Sequence, residues 1–86
     1  MNIIRVVDAK HIEGFKISLK FSDGTSGNVD LEKEIYGPVF LELKNINYFK
    51  NFSLDTWTIG WPNGADFSPE FLCELALKNK LELIKQ

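Results

Sequence analysis

The sequence predicts an α+β domain: a small antiparallel sheet of short strands, short central helices and a C-terminal helix. Three observations carry this. Phe15-Lys16-Ile17-Ser18-Leu19-Lys20-Phe21 alternates apolar and polar without a fault, the period of a half-buried strand. Asp23-Gly24 follows at once, a pair that turns the chain back on itself and makes the next strand antiparallel. Ser68-Pro69-Glu70 then opens a segment whose apolar residues recur at helical spacing.

Taken in order, the first strand is expected from Ile3 to about Ala9, with mixed periodicity that implies partial burial on both faces. Gly14 interrupts, which leaves His11 in a connecting loop. The strand Phe15–Phe21 points Phe15, Ile17, Leu19 and Phe21 one way and Lys16, Ser18 and Lys20 to solvent. With Lys10 nearby, these lysines form a mild basic strip, read as a solvated sheet face. Asp23-Gly24 supplies the positive φ angles of a two-residue hairpin turn. The return strand is Thr25–Val29, where Gly27 suggests a bulge.

Asp30 is placed to cap a short helix over Leu31–Tyr36, ended by Gly37, and Pro38 opens a second through about Lys44. Asn45–Asn51 reads as a turn or helical segment offering Ile46, Tyr48, Phe49 and, just after it, Phe52 to the core. Phe52–Leu54 and Thr56–Trp61 form two further strands around Asp55. The last helix runs from Ser68 to about Asn79. Ser68 caps it, Pro69 fits its first position, and Glu70 meets the positive end of the helix dipole. Phe67 and Leu72 are spaced for a hydrophobic staple, and Phe71, Leu72, Leu75 and Ala76 form the apolar stripe. Leu81-Glu82-Leu83-Ile84 reads equally well as more helix or as an edge strand.

At 86 residues there is room for a single domain spanning 1–86. Its 44% hydrophobic and 13% aromatic content is that of a folded chain with large rings filling a modest core. A net charge of −2 lacks the basic footprint that neutralises phosphates, so direct nucleic-acid binding is not expected. The lone Cys73 excludes an internal disulfide framework and fits a reducing cytoplasm. No run of about 18 apolar residues exists to span a membrane, and Arg5 comes too early for a signal peptide. A cytoplasmic location is expected.

Candidate chemistry is sparse. His11 has no second histidine and no Cys-x-x-Cys to complete a zinc site, and reads as a solvated loop residue. Cys73 reads as a buried, inert thiol on the last helix. Asp55, Asp66 and Glu70 are the residue types of acid–base or cation chemistry, yet each has local backbone work: a turn, turn amides, a helix start. No phosphate-loop spacing of glycines is present. No catalytic residue, metal ligand set or cofactor is expected, and the chain is not expected to be an enzyme.

What remains is Trp57, Trp61, Asn63 and Asp66. On a strand, Trp57, Ile59 and Trp61 would face the same side. Core is the preferred reading of that side, because so small a domain needs bulk inside. If the side is partly open, an aromatic platform stands beside Asn63 and Asp66, suited to a peptide or a small ligand. These four are the candidate binding residues.

Phe21-Ser22-Asp23-Gly24, Val29-Asp30-Leu31, Gly37-Pro38-Val39-Phe40 and Trp61-Pro62-Asn63-Gly64-Ala65-Asp66-Phe67-Ser68-Pro69-Glu70 occur in this order. Together they resemble the small bacterial domain of unknown function 2442, over nearly the whole chain. The resemblance implies an α+β domain of short antiparallel strands with a C-terminal helix, and brings no assigned activity. It implies three settings: a domain alone, one beside a small gene in a toxin–antitoxin-like pair, or one fused to a helix-turn-helix domain. No recognition helix is expected after Gln86, so any DNA role is expected through a partner.

The function expected is a protein-interaction or regulatory module, the antitoxin-like half of a two-gene pair, with the neighbouring small gene product as its partner. It would act by occlusion, docking an aromatic patch near Trp57 and Trp61 or an unpaired sheet edge. The alternative is a small-ligand sensor with an aromatic pocket at Trp61, Asn63 and Asp66. A homodimer is compatible with either, since one small sheet leaves a face and two edges to cover.

Overall fold

In the computed structural model, which describes residues 3–84, the order is β1 (Val6–Glu13), β2 (Lys16–Phe21), β3 (Ser26–Asp30), a 3-10 helix (Pro38–Lys44), α1 (Ile46–Phe49), β4 (Ser53–Leu54), β5 (Ile59–Gly60) and α2 (Pro69–Ile84). The α+β class expected from the sequence is what the chain adopts. Strands β1, β2 and β3 form one antiparallel sheet in that order, and β4 pairs antiparallel with β5. Among the described residues, no helix is long and apolar enough to cross a membrane.

The alternation in β2 decides the layers. Ile17, Leu19 and Phe21 are buried, and their partners across the sheet include Val29 on β3 and Val6 on β1. The opposite face is open and polar. There Asp8 lies across from Lys20 and Lys16 across from Asp30, Lys16 also pairs with Glu13 at 3.7 Å, and all these side chains are exposed, so the strip is a solvated face.

Helix α2 packs mainly on β3, through buried Leu72, Cys73 and Ala76. Gly27 holds regular register opposite Leu19, so it is not a bulge. Its reason is proximity: a Cβ there would lie 3.2 Å from the Ala76 Cβ, and the missing side chain lets the helix settle on the sheet. Asn79 adds a donor from α2 to the Asn28 carbonyl at 3.1 Å, on the free side of β3. The Leu81–Ile84 tail continues the helix.

Four further expectations are corrected. The first strand starts at Val6 and runs through Glu13, because the reversal comes only at Gly14 (φ 50°). His11 is therefore a partly buried strand residue, not a loop residue: its Nε2 donates to the Gly14 carbonyl at 2.9 Å and its ring meets Phe49 edge-on at 6.2 Å. The β2–β3 turn has three residues, not two: only Gly24 takes positive φ (91°), Phe21 N–H donates to Thr25 (2.8 Å) and Gly24 N–H to Phe21 (3.0 Å). No helix forms over Leu31–Tyr36: the Asp30 carboxylate accepts from Glu32 N–H at 3.0 Å, closing a local turn instead of capping a helix.

Phe49 is the hub of the far end of the core. It is fully buried, with Phe15 edge-on at 5.1 Å and Trp61 tilted at 5.6 Å. Four-residue α1 is too short to stand alone and is held by this packing.

Candidate functional site

The segment Leu54–Asp66 positions the four candidate residues, and it does so differently from a continuous strand. Asp55 is the cause. One oxygen of its carboxylate accepts from Trp57 N–H (2.7 Å) and Thr58 N–H (2.8 Å), while Asp55 N–H donates to the Thr58 carbonyl (2.8 Å). A side chain that satisfies two amides outcompetes the strand ladder, so Thr56–Thr58 is a bend and the strand expected over Thr56–Trp61 shrinks to Ile59–Gly60. Those two bonds hold the Asp55 carboxyl below its ordinary pKa.

This breaks the expected common face of Trp57 and Trp61. Trp57 is 50% exposed, whereas Trp61 is 5% exposed. The Trp57 indole rides on a bend fixed from both sides, since its own carbonyl accepts from Val6 N–H at 2.8 Å. That bond sets the start of β1 against the bend, where Val7 (40% exposed) and Leu54 (45%) are also open. The sequence had marked Trp57 alone. Val7 and Leu54 carried no signal of their own, being ordinary strand positions in the sequence.

Trp61 is structural. Its Nε1–H donates to the Phe49 carbonyl at 2.6 Å, satisfying an acceptor at the end of α1. Its ring also meets Phe52 (6.2 Å) and Phe67 (5.9 Å) edge-on. Nearby, Thr58, buried and just before β5, donates its hydroxyl to the Phe67 carbonyl at 2.7 Å and ties this segment to the approach of α2.

Asn63 is equally occupied. The turn Trp61–Ala65 repeats the geometry of Phe21–Thr25: Trp61 N–H donates to Ala65 (2.9 Å), Gly64 N–H to Trp61 (2.9 Å), and Gly64 has φ 90°. In both turns the third residue accepts from the fifth, Asp23 from Thr25 N–H (2.9 Å) and Asn63 from Ala65 N–H (3.0 Å). Asn63 then spends its amide hydrogens on the Val39 carbonyl (3.1 Å) and Glu42 Oε1 (3.2 Å), binding the turn to the 3-10 helix. The reading of Asp66 as the acceptor for turn amides is thus corrected: Asn63 does that work. Asp66 is exposed, with its backbone bridging Gly60, and its carboxylate has no hydrogen bond among the described residues.

The last helix starts as expected, with the Ser68 hydroxyl accepting from Phe71 N–H at 3.1 Å and Glu70 in the first turn. Phe67 stacks on Phe71, centroids 5.8 Å apart, while Leu72 is fully buried. Cys73 is buried, and burial, with the charges of Asp23 and Glu74 adding to it, pushes its thiol pKa up.

A family model described as "Protein of unknown function (DUF2442)" matches residues 6–77, well over half of the chain. The chain belongs to the DUF2442 family. The match spans all four motifs of the resemblance and includes Trp57, Trp61, Asn63 and Asp66. Among curated proteins and solved structures, none matches the chain. The DUF2442 assignment therefore carries a family and no activity, and the functional reading rests on the surface.

Proposed function

We propose that this DUF2442 chain is a cytoplasmic protein-interaction module, the antitoxin-like or regulatory half of a two-gene pair, that docks on the neighbouring gene's product through Trp57. The observation that supports the reading is the presentation of that indole. A half-exposed tryptophan on a bend whose backbone is held by Asp55 and Val6 loses little backbone freedom on binding, and tryptophan is among the residue types enriched where binding energy concentrates.

The edges of the main sheet favour this surface over strand pairing. Edge strand β1 carries register shifts at Val7 and Ile12 and the charges Asp8, Lys10 and Glu13, while β3 is covered at Asn28 by Asn79. Bulges, charges and coverage are the ways an edge is kept from recruiting another strand. The sensor reading has no such support, because Trp61 and the Asn63 amide are spent on internal bonds.

Co-expression with the neighbouring gene product tests the proposal. A stoichiometric complex that survives purification, and that Trp57→Ala dissociates without altering the melting transition, is the expected result. Absence of a complex, or one indifferent to Trp57→Ala, counts against it.

A further inference from the structure

A second surface carries an inference of its own. Tyr36, Phe40 and Phe71 line a shallow groove of ≈ 440 Å³ whose lining also includes Glu34 and Asp66. Its wall is rigid: Phe40 stacks on buried Phe67 at 5.0 Å with 15° between planes, and Phe67 stacks on Phe71 at 5.8 Å and 18°. Tyr36 is 71% exposed, the most open aromatic side chain described.

The charges of the groove are one-sided. Glu34 and Asp66 are the charged residues in its lining, and neither carboxylate has an ion pair or hydrogen bond among the described residues. At the adjoining helix start Pro69 has no N–H and the Phe71 and Leu72 N–H groups are taken by Ser68, which leaves only the amide of Glu70, itself an acidic residue, to face an anion. An anionic guest would meet two carboxylates. A wholly apolar guest would strip water from them and return nothing. A side chain apolar along its stem and cationic at its tip satisfies both parts of the surface.

We infer that this groove seats an arginine side chain from a basic segment of a protein partner, its stem against the rings of Phe40 and Phe71 and its guanidinium between Glu34 and Asp66. Arginine fits better than lysine, because its planar, weakly hydrated head lies on aromatic carbon and pairs carboxylates through fixed donors. The groove is too open to enclose a small molecule, which suits one side chain delivered by a larger partner. This goes beyond the Trp57 reading and uses none of its residues.

The test is a titration of the full chain with a capped five-residue alanine peptide carrying one central arginine, followed by amide chemical shifts. Shifts centred on Tyr36, Phe40 and Phe71 are expected. The matching citrulline peptide, or the Glu34→Gln/Asp66→Asn variant, should bind about tenfold more weakly or less, as expected when charge-assisted bonds are lost. Both substituted positions are outside the core, so an unchanged melting transition confirms the variant is folded. Trp57→Ala should bind the arginine peptide as the wild type does, which separates this site from the Trp57 surface. Equal binding of the citrulline peptide, shifts elsewhere, or no response to the arginine peptide overturns the inference.

Discussion

Asn63 shows why an amide and not a carboxylate stands in the turn before α2. An aspartate would keep the acceptor for Ala65 N–H, as Asp23 does for Thr25, but would lose both donors and face Glu42 across 3.2 Å. Asn63→Asp should therefore destabilise the fold by about 1 kcal/mol at neutral pH, read as a lower urea midpoint. The deficit should shrink in acid, where a protonated carboxyl donates again. Trp61 gives the companion prediction. Trp61→Phe keeps most of the bulk but leaves the Phe49 carbonyl without its donor, and should cost about 1–3 kcal/mol. Trp57→Phe, on the surface, should stay within about 0.5 kcal/mol. From sequence alone the two tryptophans were equivalent, because period-two alternation places them on one face. What separated them was Asp55, whose carboxylate closes the bend between them. An Asp three residues before Thr58 is a turn signal, and it outweighs alternation.

The helical turn opened by Pro38 formed on its single signal, and the longer elements that formed as the sequence indicated had signals that agreed at every level. Strand β2 had alternation and a following turn; α2 had its cap, first-position proline and apolar stripe. The Leu31–Tyr36 helix and the Gly27 bulge, which did not form, were single-residue inferences. Asp30 was equally competent to cap a helix or close a turn, and the nearer amide of Glu32 won. Gly27 was legible as a glycine with a reason, but the reason lay 49 residues away in sequence at Ala76, where no local pattern reaches. The groove lined by Glu34, Tyr36, Phe40 and Phe71 was illegible for the same cause, since two distant segments build it. Only its Asp66 had been marked. The α2–β3 contact makes a prediction at this scale. Gly27→Val should force helix and sheet apart and cost about 1–3 kcal/mol, and Ala76→Leu, at a fully buried position, should do the same. Unchanged urea midpoints for both would mean that the helix does not rest on Gly27.

At the scale of the whole molecule, turns tied by exposed carboxylates couple stability to acid. Asp23 and Asp55 are each held below the ordinary value of 3.8, mainly by backbone N–H bonds from Thr25 and from Thr58 and Trp57 respectively. A folded-state pKa below the unfolded one contributes stability that is complete above the unfolded value and is lost as pH falls through the folded value. Urea midpoints should therefore be flat from neutral pH to about 5 and fall below about 4. The Asp23→Asn/Asp55→Asn double variant should show a shallower fall over that window. Of these, the Asp55 bonds also fix the bend that carries exposed Trp57, and that exposure is the centre of the proposed function. Acrylamide quenching of tryptophan emission, free and with the neighbouring gene product bound, tests it most directly. One accessible and one protected indole in the free chain, with the accessible one shielded in the complex, is the result predicted. Two protected indoles in the free chain, or quenching unchanged by the partner, would contradict it.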